Sequence, residues 1–356
     1  MKIRKLNQKG FSHFEAIVLI VVLVVIGSVG TFVYSRMHKS HAGSQAFNYP
    51  YAITTDNLGH VWVANRSDNS VTELNAKDGS LVKVIKGASY GFNYPYAITT
   101  DNLGHVWVAN LWGNTVTELN AKDGSLIKVI KGASYGFNGP GAITTDSLGH
   151  VWVANDYSNT VTELNAKDGS LVKVIEGASY GFDRPGAITT DSLGHVWVVN
   201  NGGNTVTELN AKDGSLVKVI KGTSYGYDRH SPITTDSLGH VWVVNWGGRS
   251  VTELNAKDGS LVKVIEGASY GFNGPGGITS DNLGHVWVAN YYSNTVTELN
   301  AKDGSLVKVI EGASYGFDHP YAITSDNLGH VWVANLNGNT VTELNAKDGS
   351  LVQVVK

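Results

Sequence analysis

From residue 47 onward the chain alternates short runs rich in Val, Ile, Thr and Trp with clusters of Asp, Asn, Gly and Ser. Runs of this length with period-two patterning predict β-strands, and the polar clusters predict turns. In the first stretch the strands fall at 52–55, 60–64, 71–75 and 81–85. Asp56-Asn57-Leu58-Gly59 joins the first pair, and Ala76-Lys77-Asp78-Gly79-Ser80 joins the third to the fourth. In both, an Asp side chain is placed to cap the backbone and Gly to take positive φ. The same unit then recurs. The string GHVWV places its His at His60, His105, His150, His195, His240, His285 and His330, every 45 residues. Four short strands repeated at this spacing predict the blades of a β-propeller. One blade cannot bury both of its faces, but a closed ring of seven can. The expected fold is therefore all-β, a seven-bladed propeller over 47–356. The first repeat opens with its own first strand and the last ends on its own fourth. Closure by packing, without strand exchange, follows.

A different pattern precedes the repeats. Residues 16–34 form 19 uncharged, mostly apolar positions, long enough for a helix to span a membrane. Lys2, Arg4, Lys5 and Lys9 lie before it, which places the repeats outside the cytoplasm. The junction Lys9-Gly10-Phe11-Ser12-His13-Phe14-Glu15 resembles the prepilin motif of type IV pilins and pseudopilins. That resemblance implies cleavage after Gly10, Phe11 as the new methylated N-terminus, and Glu15 as the carboxylate that meets a neighbouring subunit's amine. His13 and Phe14 depart from the usual motif. The expected organisation is a leader (1–10), a transmembrane or pilin-like α-helix (11–34), a polar linker (35–46) and the propeller. The membrane and pilin subunits are then the expected partners of the N-terminal part, in the cell envelope.

Composition narrows the function classes. Only 16% of residues are charged, there is no Cys, and Gly numbers 42. No disulfide framework, thiolate metal site or Cys nucleophile is available. Six of the basic side chains lie in residues 1–46, so the repeats are mildly acidic and lack the footprint of a nucleic-acid binder.

The repeats resemble the NHL, YVTN and streptogramin-lyase-like propeller repeats. The carrying residues are the Pro before the first strand, the D-x-x-G turn, the W-V-A-N strand and the S-N-T-V-T-E-L strand. Residues 152–161 (WVANDYSNTV) are close to a YVTN repeat. The resemblance implies the fold and leaves function open, because such propellers serve as lyases, lactonases, scaffolds and adhesins. In streptogramin lyases a few blade-specific His and Glu residues do the chemistry. Here Asn ends W-V-[AV]-N in every blade.

Residues present seven times are read as structure. Trp62 and its equivalents suit packing between blades. Asp56 and its equivalents suit turn capping. His60 and its equivalents sit on separate blades and do not converge on a metal, and no cofactor site is expected. Glu73 and its equivalents are expected toward the blade exterior. An active site needs unlike groups in unlike environments.

The repeats differ at two places. One is the triplet after W-V-[AV]-N, with Arg66, Trp112, Asp156, Tyr157, Trp246, Tyr291 and Tyr292 among its members. The other flanks the Pro, with Arg184, Arg229 and His319; in the fifth repeat His230 replaces the Pro itself. In an up-and-down blade both places fall on one face of the ring. Tyr, Trp, Arg, Asn, Ser and Gly are the residues from which binding surfaces are built. These eleven residues are the expected ligand-binding set. The expected function is a surface adhesin for a glycan or protein on another cell. The alternatives are an exported lyase- or lactonase-like enzyme, marked by a convergent His/Glu or metal cluster, and a structural spacer.

Overall fold

The computed structural model describes residues 45–228 and 232–356. Within the compact unit Ala46–Lys356, the chain forms seven four-stranded sheets, each built from four consecutive strands. The all-β, seven-bladed expectation holds, and no strand is exchanged. The first blade comprises β1 (Pro50–Thr55), β2 (His60–Asn65), β3 (Ser70–Asn75) and β4 (Leu81–Lys86). These strands begin or end one or two residues beyond the sequence expectation. The β1–β2 and β3–β4 turns share one face of the ring, here the turn face. The β2–β3 loops and the connections between blades form the loop face. No helix among the described residues is long and apolar enough to cross a membrane. The expected leader and helix, with Gly10, Phe11 and Glu15, lie outside the described residues.

The D-x-L-G-H turn does more than cap. Asp56 Oδ1 accepts from the Leu58 and His60 amides, each at 2.9 Å. Its Oδ2 accepts from Trp62 Nε1 at 2.8 Å and lies 2.9 Å from His60 Nδ1. The carboxylate thus ties the turn to the indole, and the tie recurs in every blade. The indole itself is fully buried against the next blade: Trp62 packs with Phe92, Val106, Val108 and Leu119.

Glu73 and its equivalents are not on the blade exterior. Glu73 is 1% exposed, with Oε1 3.7 Å from His60 Nε2 and Oε2 3.9 Å from Lys83 Nζ. The register explains the correction. Glu73 pairs directly with Trp62 across β2 and β3, and cross-strand partners point to the same face of a sheet. That face is covered by the neighbouring blade.

The seventh seam packs its apolar side chains as the first does. Trp332 packs against Phe47, Val61, Val63 and Leu74 of the first blade. At six seams a Lys amine, Lys83 for example, donates to the carbonyl of the next blade's turn Asp, here Asp123. At the seventh, Gln353 Nε2 donates to the Asp78 carbonyl at 2.8 Å.

Candidate ligand-binding face

A bulge in the innermost strand aims side chains at the mouth of the central channel. Pro50 pairs with Asn65 and Ala52 with Ala64, so Tyr51 is an extra residue with no partner. A bulge of this kind re-aims the side chain it displaces. It recurs in blades two, three, four, six and seven and displaces Tyr96, Gly141, Gly186, Gly276 and Tyr321. In the fifth blade the inner strand is shortened to Ile233–Thr235.

The bulge residues divide the mouth in two. Blades seven, one and two, contiguous across the ring closure, supply Tyr321, Tyr51 and Tyr96. Three of the other blades supply Gly. A cavity of about 410 Å³ opens there, bounded by the tyrosines on one side and by Leu111, Asp156, Tyr157, Arg184 and Asn201 on the other. Its size is that of a small-ligand site.

The tyrosines form a hydrogen-bonded triad. Tyr51 Oη lies 2.6 Å from Tyr96 Oη and 2.7 Å from Tyr321 Oη. Burial, reinforced by the neighbouring phenols, pushes the Tyr51 hydroxyl far above the usual tyrosine range. Burial also raises Tyr96 and Tyr321. All three are therefore neutral donors at any physiological pH.

Aromatic rings extend outward from the triad on both sides. Tyr94 stacks on Trp112 with centroids 3.7 Å apart, and Trp112 is 60% exposed. On the other side Trp246 lies 5.5 Å from both Tyr291 and Tyr292, and 6.4 Å from Tyr321. Tyr291 in turn contacts His319 edge-on at 4.4 Å. Trp246 is only half-exposed because these rings surround it. The Arg66 guanidinium sits over Tyr49, Tyr51 and Tyr94 at 4.4, 4.5 and 4.6 Å. Opposite, Arg184 Nε pairs with Asp156 Oδ1 at 3.3 Å.

The residue before the Pro has a left-handed backbone: Tyr49, Tyr94, Arg184 and His319 have φ between 53° and 60°. Gly139 and Gly274 take the same conformation in blades three and six. The two variable places also fit each other. A Cβ at Gly139 or Gly274 would run into the ring of Tyr157 or Tyr292. In blades three and six their variation is thus coupled by packing.

Of the residues expected from sequence, Asp156, Tyr157 and Arg184 line the cavity. Arg66, Trp112, Trp246, Tyr291, Tyr292 and His319 flank it through the ring contacts above. Arg229 and His230 lie outside the described residues. Tyr51, Tyr96, Tyr321, Leu111 and Asn201 are cavity residues absent from the expected set. Their signal was positional, since each occupies one of the two variable places. Among the described residues no group of three or more His, Cys, Asp or Glu is placed to hold a metal.

Residues 272–299 match the family model of the NHL repeat. No curated protein matches the chain. Among solved structures, a streptogramin B lyase is similar, with a TM-score of 0.65 and 19% identity over 83% of this chain and 93% of that one. A catalytically inactive virginiamycin B lyase from Staphylococcus aureus, solved with quinupristin, has a TM-score of 0.70 at 18% identity, over 84% and 95%. Kuenenia stuttgartiensis hydrazine synthase has a TM-score of 0.68 at 16% identity, over 87% and 99%. At these identities the likeness is one of fold.

Proposed function

We propose that the chain is a saccharide-binding adhesin whose loop face captures glycans of another cell surface. The observation that carries this reading is the backbone before the Pro. Four blades hold a bulky side chain in a left-handed conformation that Gly adopts without strain in two others. Strain of this kind persists where the side chain is needed, and it clusters at ligand sites. The chemistry suits a sugar. One wall of the cavity is aromatic and can stack on the apolar face of a pyranose, while the other offers Asp156, Arg184 and Asn201 to its hydroxyls.

Glycan-array binding of loop-face variants tests the reading. Trp112→Ala removes an exposed ring and should weaken binding by about 2 kcal/mol or more, with stability changed by only about 0.5 kcal/mol. Trp107→Ala should cost about 3–5 kcal/mol of stability, because that ring is fully buried between blades. Lys167→Ala, on the turn face, should change neither. Equal loss from Trp112→Ala and Lys167→Ala would sink the proposal.

Display outside the cell is the second part of the proposal, supported by residues 1–34. Intact mass of the native protein should place the N-terminus at Phe11; an intact Met1 terminus would refute processing. The fold likeness favours one competing reading, a lyase acting on a streptogramin B. Incubation with a streptogramin B followed by mass spectrometry separates the two, and the expected result is unaltered substrate.

A further inference from the structure

Among the described residues Arg66 is a cation without a counter-ion. Its guanidinium faces three tyrosine rings, and its Nε is buried with no acceptor. Among the described residues it pairs with no carboxylate, whereas Arg184 is already paired with Asp156. A guanidinium stacked on rings uses its faces and leaves its in-plane N–H edges for a planar oxyanion. Of the rings beneath it, Tyr51 is also the centre of the hydrogen-bonded triad. There, three hydroxyls bring three protons to two mutual hydrogen bonds, so one O–H is left to donate to a ligand. Asp156, the carboxylate across the cavity, is compensated by Arg184 and does not oppose a second negative charge.

We infer that the loop-face cavity takes an acidic saccharide whose oxyanion is held by Arg66 beside the Tyr51–Tyr96–Tyr321 triad. The inference rests on the saccharide reading above and specifies its ligand class. A uronate carboxylate and a sulfate ester share the required chemistry.

The test titrates the full-length chain in detergent with three matched oligosaccharides. One contains uronic acid, the second is the same molecule with its carboxyl reduced to an alcohol, and the third carries a sulfate ester on the reduced backbone. At least one acidic arm should bind about tenfold or more tighter than the reduced arm, the strength of a charge-assisted pair. The arm that does so identifies the source of the oxyanion. In Arg66→Gln the acid-to-neutral ratio should fall to near one. In Arg66→Lys, which keeps the charge but loses the fork, it should fall part-way. Raising salt should also shrink the ratio. Equal binding of acidic and reduced arms by the unaltered chain overturns the inference and leaves the saccharide reading standing. A preference that survives Arg66→Gln overturns it too. If Arg66→Gln does not fold, Arg66→Lys decides: an undiminished ratio overturns the inference. Binding of none of the three arms overturns both readings.

Discussion

Gly139 and Gly274 show that the backbone before the Pro needs no side chain, so the residues that carry one there are informative. A left-handed residue other than Gly is strained by about 1–2 kcal/mol. Arg184 bears that strain at φ 53° and gains only a half-exposed pairing with Asp156, worth about 0–1 kcal/mol. Arg184→Gly should therefore leave stability within about 1 kcal/mol, the strain relief offsetting the lost pair and the added chain entropy. It should nevertheless weaken ligand binding, because Arg184 lines the cavity. Thermal unfolding and glycan titration of the same variant check both halves; a large loss of stability would mean that Arg184 serves the fold. The sequence made these positions visible as departures from a repeat. It did not show where their side chains go. Tyr51 reads only as a variable residue beside the Pro, just ahead of the expected strand, until the register places two residues opposite one, and only that bulge turns it into the channel mouth. Arg229 and His230 are equally conspicuous in sequence, and they lie outside the described residues.

The blade is the element the sequence described best, because short strands, D-x-x-G turns and a fixed period all predict the same object. Strand ends moved by one or two residues, as hydrogen-bonded ladders extend past the apolar run. The misplaced element feature was Glu73. Placing it inside required the β2–β3 register, which sets it opposite Trp62; hydrophobic pattern alone cannot supply that. Its burial has a consequence for pH. Desolvation holds the carboxyls of Glu73, Glu118, Glu163, Glu208, Glu253, Glu298 and Glu343 above the usual carboxylate range. The charges of His60 and Lys83 oppose that rise at Glu73 without cancelling it. A carboxyl with a raised folded-state pKa contributes stability that is fully present below its unfolded value, near 4.5, and lost as pH rises through the folded value. The exposed turn carboxylates such as Asp123 are shifted the other way, downward from 3.8 by the Ser125 hydrogen bonds, so their contribution is lost only in stronger acid. Mild acidification should then not weaken the ring: the urea midpoint at about pH 5.5 should equal or exceed that at about pH 7.5. A midpoint that falls steadily on acidification over that interval would mean that the unfolded chain takes up more protons there than the folded ring, which carboxyls with raised folded-state values cannot produce.

At the scale of the whole ring, the seam between the last and first blades packs as the seam between the first and second does, with Gln353 in place of the Lys found at the other six. Phe47 fills the slot beside Trp332 that Phe92 fills beside Trp62. Asn339 Oδ1 accepts from the Tyr49 amide at 2.7 Å, as Asn69 Oδ1 does from Tyr94. In a ring of units that contact only their neighbours, stability is a sum of blade and seam terms, so no seam is privileged by its place in the chain. This makes the position of the termini exchangeable. Lys356 occupies the repeat position of Lys86, and Phe47 that of Phe92, with Gly-Ala-Ser-Tyr-Gly between them in the first internal connection. A permutant can begin at Phe182, run to Lys356, pass through an inserted Gly-Ala-Ser-Tyr-Gly to Phe47, and end at Glu176. It should melt within a few degrees of the unpermuted 46–356 unit, since a loss of about 1 kcal/mol shifts a domain of this size by roughly 2–4 °C. Binding gives the sharper readout. The native seam runs through the tyrosine triad, between Tyr321 and Tyr51, whose hydroxyls are 2.7 Å apart. The permutant joins that seam covalently and opens one between blades three and four, on the glycine side of the cavity. Affinity for the loop-face ligand should be kept or raised. A permutant that folds but no longer binds would place the essential contact at the Asp156–Arg184 side, which spans the newly opened seam.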